Sequence, residues 1–299
     1  MAVYEHNYRR YAGPLTPEWS RFLIIPRHAY RDIFKSKIFI AFFVACFIPL
    51  LIEAILIYLH HNVNALAILK VDVQRLIPID ASFFETFVSL QAALAFLMTM
   101  MVGPPLVARD LRNNALPLYL CRPFSRSEYV FGKMSVVLIL LSAITWIPQL
   151  LLFVFQSYLG GWAWFTENLS LAFAVFLSSL AWILFLTLLS QTISSLVKWR
   201  VAASASLMAL YLIPSVFSEV INELFTTRWG HLISIDALRR SITSGLFGTF
   251  IQTSRQGTPF GEVLLNEPPL LVSWFMLFLI CAICLGILSK RVKAYEVVS

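Results

Sequence analysis

The chain has 299 residues, of which 59% are hydrophobic and 13% charged, and it carries a formal net charge of +7. Soluble domains carry about 25% charged residues, so this balance, with a mean hydropathy of +0.77, excludes a soluble enzyme and predicts a multi-span membrane protein. The excess of positive charge reads first as cytoplasmic anchoring of the spans, not as a nucleic-acid surface.

Residues 1–37 are a polar, basic N-terminal segment without the short apolar core and small-residue cleavage site of a signal peptide. Thr16-Pro17 is a helix-start signal, a capping residue followed by proline at the first helical position. Trp19, Phe22, Leu23, Pro26, Tyr30, Ile33 and Phe34 then recur at helical spacing, opposite a row of Arg27, Arg31 and Lys35. This pattern predicts an amphipathic helix on the membrane surface, kinked at Pro26, with aromatics toward lipid and bases toward headgroups.

Six apolar stretches follow, at about 38–59, 85–107, 135–159, 169–191, 201–221 and 270–289. Each is long enough to cross a hydrocarbon core of about 30 Å as a helix. They form a six-helix transmembrane domain over 38–289, followed by a cytoplasmic tail at 290–299. With the N-terminus inside, 17 of the 23 Lys and Arg fall in inner segments and 6 in outer ones. That asymmetry predicts that both termini are cytoplasmic.

Two connections carry their own structural signals. In the inner loop at 109–133, Arg122-Pro123 stops a short membrane-parallel helix over about 113–121, because the residue before proline avoids helical geometry. Ser125 and Glu128 then form a capping box that opens the third span. The outer segment 222–269 is too long for a plain connection. Leu238, Ile242, Leu246 and Phe250 recur in it every fourth residue, which predicts one or two short helices in the outer leaflet before the last span.

The chemistry of catalysis is missing. Gly132-Lys133 has no glycine five positions earlier and is followed by Met134, so it is no phosphate loop. Neither H-E-x-x-H nor G-x-S-x-G occurs. Cys281 and Cys284 form a C-x-x-C inside an apolar run, where they read as small packing residues. His60-His61, at a helix end, point in different directions, so no metal site is expected. Gln91, Gln149, Gln156, Ser178, Ser179, Ser190, Ser204 and Ser206 read as polar contacts between spans, and Pro49, Pro148 and Pro214 as kinks. Glu53 and Glu219 are the carboxylates nearest span interiors, either functional groups or side chains snorkelling to the interface.

Arg122, Pro123, Ser125, Arg126, Tyr129, Gly132 and Lys133 match the pattern R-P-I/F-S-R-x-x-Y-hydrophobic-G-K. In this the chain resembles the permeases of type-2 ABC exporters, in which such a segment leads from the first cytoplasmic loop into the third span. The resemblance extends to six spans, both ends inside, a surface helix before the first span and a long outer segment before the last. It implies a homodimer, or a heterodimer with a similar permease, in a membrane expected to be the bacterial inner membrane. Two separate ATPase subunits would bind ATP and Mg; further membrane or periplasmic subunits are compatible with it, and this chain itself would bind no cofactor. It also implies that Arg109, Asp110, Arg112, Leu116, Tyr119, Arg122 and Arg126 form a coupling surface for those ATPases, with the surface helix beside it. Glu53, Phe87, Gln91, Met98, Tyr211 and Glu219 become candidates for the translocation path. Two other classes stay open: a non-transporting scaffold or regulatory subunit, and a secondary transporter, which would call for acid–base pairs or paired broken helices in the membrane. The substrate is not written in the sequence.

Overall fold

Among the described residues, six helices are long and apolar enough to cross a membrane: Lys37–His61, Ala81–Ala108, Glu128–Glu167, Leu169–Leu196, Arg200–Phe225 and Leu270–Lys290. The structure, a computed structural model, describes residues 23–62, 78–113, 126–197, 199–225, 229–249, 254–258, 261–265 and 268–291. In chain order, α1 is Ile24–Ile33, α2 Lys37–Ala45 and α3 Ile48–His61. They are followed by α4 (Ala81–Arg112), α5 (Arg126–Ile144), α6 (Trp146–Glu167), α7 (Leu169–Leu196) and α8 (Arg200–Phe225). A 3-10 turn at Trp229–Leu232 and α9 (Ile235–Phe247) precede the strands β1 (Ser254–Thr258) and β2 (Gly261–Leu265), and α10 (Leu270–Arg291) completes the order.

The spans break where the sequence removes backbone donors. The first is split at Cys46 and Phe47 into α2 and α3, with Pro49 in the first turn of α3, where a missing N–H breaks no helical bond. The third is split at Thr145, three residues before Pro148, and bends again at Gly161, whose φ of 87° suits a residue without a Cβ. Together α5 and α6 give a third span of 40 residues, about 60 Å at ~1.5 Å per residue. This is longer than the expected 135–159, because the helix runs on through the polar flanks on both sides of the apolar stretch. Pro214 lies within α8 without dividing it.

The bundle is built around α7, which packs against α4, α5, α6, α8, α9 and α10. It buries Trp182, Ile183, Phe185, Leu186 and Leu189 together with a run of hydroxyls that includes Ser190 and Ser194. Large apolar side chains of the first, fifth and sixth spans stay exposed, as at Ile38, Val216 and Phe275.

The outer segment agrees in part with expectation. Leu238 and Ile242 lie buried on α9, which Ser234 caps by accepting a hydrogen bond from Ala237 N–H at 3.2 Å. β1 and β2 form an antiparallel hairpin that the helical expectation did not contain. Gly257, Pro259 and Gly261 weaken helix formation there. The predicted helix start at Thr16-Pro17, the loop helix at 113–121 and Phe250 lie outside the described residues.

Candidate functional site

The C-terminal end of span two and the N-terminal end of span three approach each other on either side of residues 114–125. Lys133 Nζ of α5 lies 2.8 Å from Asp110 Oδ2 of α4, with only 9% and 14% of the two side chains exposed. The Tyr129 hydroxyl donates to the same carboxylate oxygen at 2.8 Å, and Lys133 Nζ sits 5.7 Å from the centre of the Tyr129 ring. Tyr129, Gly132 and Lys133 are all buried, on one face of the first turns of α5. Asp110, expected on a partner-facing surface, is thus turned into the fold, because a buried ammonium requires a counter-charge. Arg109 and Arg112 fall in the last turns of α4 and Arg126 opens α5. Leu116, Tyr119 and Arg122 lie outside the described residues.

Helix α1 docks on the same assembly. Its Tyr30 hydroxyl donates to the Val136 carbonyl of α5 at 2.7 Å, and burial pushes that hydroxyl up to about 12, so it stays a neutral donor. Ala29, Tyr30 and Ile33 pack against the core, whereas Leu23 and Phe34 of the same apolar set stay exposed. Arg27, Arg31 and Lys35 remain exposed on the opposite side, as the spacing predicted. Pro26 lies in the first turn of α1, where its missing N–H breaks no bond within the described helix. Trp19 and Phe22 lie outside the described residues. Between α1, the C-terminal part of α4 and the starts of α5 and α8 is a cavity of about 470 Å³.

Inside the membrane domain, side chains from neighbouring helices replace the hydrogen bonds that prolines remove. Gln91 Nε2 of α4 donates to the Ile144 carbonyl, which Pro148 leaves without its helical partner. It also donates to the Cys46 carbonyl at the break of the first span, at 3.0 Å. Pro104 deprives Met100 in the same way, and Ser204 of α8 donates to that carbonyl at 3.1 Å. Ser194 of α7 donates to the Pro104 carbonyl at 2.6 Å and accepts from Ala108 N–H at 2.8 Å, bridging the helical bond between those residues. A Cβ on Gly103 would lie 2.7 Å from both Cβ and Oγ of Ser190, so glycine lets α4 and α7 approach here. Gln91 and Ser204 thus join helices as expected, whereas Ser178, Ser190 and Ser206 bond backbone carbonyls of their own helices. Ser194 and the Pro104-Pro105 pair are participants that the sequence reading did not single out.

The path candidates differ in exposure. Glu53, Gln91 and Met98 are buried within the bundle, and Glu53 Oε2 accepts from Gln149 Nε2 at 2.9 Å. Phe87 is half-buried and packs beside Phe83, while Glu219 is exposed on α8. Tyr211 stacks on Phe96 with ring centres 4.1 Å apart.

Tyr211 also ties α8 to α9, donating to Asp236 Oδ1 at 2.8 Å. Arg239 Nη2 and Arg240 Nε each lie 3.1 Å from the Asp236 carboxylate. Arg239 further donates to Ser89 of α4 at 3.3 Å and lies over the Trp182 ring of α7. Burial opposes ionisation of Asp236, but Arg239, the Tyr211 hydroxyl and Arg240 together hold its carboxyl below the ordinary value of 3.8.

Compared with known proteins, the chain matches no family model, and no curated protein is significantly similar to it.

Proposed function

We propose that this chain is the membrane permease subunit of an ATP-driven exporter. In this reading it pairs with a second permease and is driven by separate ATPase subunits that bind ATP and Mg. The observation that carries the reading is the buried Asp110–Lys133–Tyr129 cluster at the base of the inner connection. A loop that only anchored topology would need charge alone. Here the last turns of α4 and the first turns of α5 are held together, and α1 is bonded to the same α5. A push on the 114–125 connection would therefore reach two spans and the surface helix at once. Arg109, Arg112 and Arg126, next to that connection, are the residues through which an ATPase would be engaged.

The test is co-purification of an ATP-binding subunit, with its ATPase rate measured for the wild type and for a variant carrying Arg109→Glu, Arg112→Glu and Arg126→Glu. Loss of association, or a fall in ATPase rate of tenfold or more, is the expected result. Unchanged association and rate would remove the coupling role. A stable complex without transport of any cargo would favour the scaffold.

A further inference from the structure

We infer that the cavity of about 470 Å³ behind α1 binds the anionic headgroup and upper acyl chain of an inner-leaflet phospholipid. Its walls are Ile33, Phe39, Met101, Val102, Pro105 and Leu106, contributed by α1, α2 and α4. Its polar lining holds His28, Asp32, Asp110, Lys133 and Arg200. The size is that of a small-molecule site, roughly 300–1,000 Å³, too small to enclose a whole two-chain lipid.

The charges set the sign of the ligand. Lys133 is paired with Asp110 and Asp32 with Lys35, so those four largely cancel. Arg200, at the start of α8, lines the cavity with no ion pair among the described residues. A guanidinium with free donors beside an apolar chamber suits a phosphate attached to a hydrocarbon chain. Basic pockets between membrane helices on the cytoplasmic side take anionic lipid headgroups for this reason. The approach is apolar as well: Ile24 at the lining is 45% exposed, and neighbouring Ile38 is 76% exposed. A soluble anion would gain nothing from those walls. The assignment to the inner leaflet rests on the orientation that the charge split predicts; it does not require an ATPase.

The test uses the full chain in nanodiscs with phosphatidylglycerol bearing a photoreactive group near the top of one acyl chain. The matching phosphatidylcholine probe is run in parallel, and adducts are mapped by mass spectrometry. Adducts on Phe39, Met101 and Leu106 should be several-fold more abundant with phosphatidylglycerol, and Arg200→Glu should abolish that preference. Arg200 is exposed at a helix start, so this variant should fold; Met101→Trp, which narrows the cavity, should lower the adducts on Phe39 and Leu106 with either probe. Equal labelling by both lipids, a preference that survives Arg200→Glu, or no adducts at these residues would overturn the assignment. Displacement by millimolar glycerol phosphate would assign the site to a soluble anion and overturn it too. The assay contains no ATPase, so its failure is distinguishable from failure of the exporter reading.

Discussion

Buried Lys133 and largely shielded Asp110 pair where the second span ends and the third begins, so neither charge can be removed without stranding the other. Deleting one partner of a buried pair costs about 3–5 kcal/mol, whereas replacing both can approach neutrality. Asp110→Asn and Lys133→Met should each lower stability by that order, and the double variant by less than the sum. Unfolding in detergent followed by tryptophan fluorescence measures the cycle, and additive losses would mean that the pair is not coupled. Gln91 is the second residue with two attachments. Gln91→Leu leaves the Ile144 and Cys46 carbonyls without their donor, at about 1–3 kcal/mol for each unmet group. Adding Pro148→Ala returns a backbone N–H to Ile144 and should recover part of the loss in the same assay. Neither arrangement was legible in the sequence. Gln91 and Pro148 were each visible as a polar contact and a kink, but that they meet depends on the register of two helices. The motif residues Tyr129 and Lys133 were visible too, but not their shared partner Asp110, which lies across the connection.

At the scale of elements, α4 and α7 touch where Gly103 faces Ser190. Gly103→Ala puts a methyl group 2.7 Å from Ser190, an overpacking expected to cost about 1–3 kcal/mol. Ser190→Gly in the same chain should relieve it, as read by melting temperature in detergent. Helix α9 carries a pH dependence. The folded-state value of Asp236 lies below the 3.8 of an unpaired carboxyl, so its stabilisation is fully present above that value and is lost as pH falls through the folded one. Hydrogen exchange of α9, corrected for the intrinsic pH dependence of amide exchange, should therefore be flat from pH 8 to 5 and rise only in strong acid. Arg239→Gln, which removes the chief opposing cation, should move that rise to higher pH. The existence of α9 was legible because Leu238, Ile242 and Leu246 repeat at helical spacing. The β1–β2 hairpin was not, since five-residue strands rich in polar residues and glycine carry little periodicity. The ends of the third span were also hidden, because the helix continues through Arg126–Met134 and past Gly160, where hydropathy no longer marks it.

For the whole molecule, the six spans were legible because length and apolarity alone define them, whereas the packing order around α7 was not. The charge asymmetry predicts a cytoplasmic α1 and an external α6–α7 junction. Arg31→Cys should react with a membrane-impermeant maleimide only after permeabilisation, and Glu167→Cys in intact cells. The reverse pattern would invert the topology. A proline in a membrane helix is usually a compliant joint, free to flex because its backbone bonds are missing. Here the carbonyls freed at Ile144 and Met100 are held by Gln91 on α4 and Ser204 on α8, so the bend angle of one helix sets the bond length to the next. Flexing any one of these joints must displace its neighbours, and the membrane domain changes shape by linked movement of its helices or not at all.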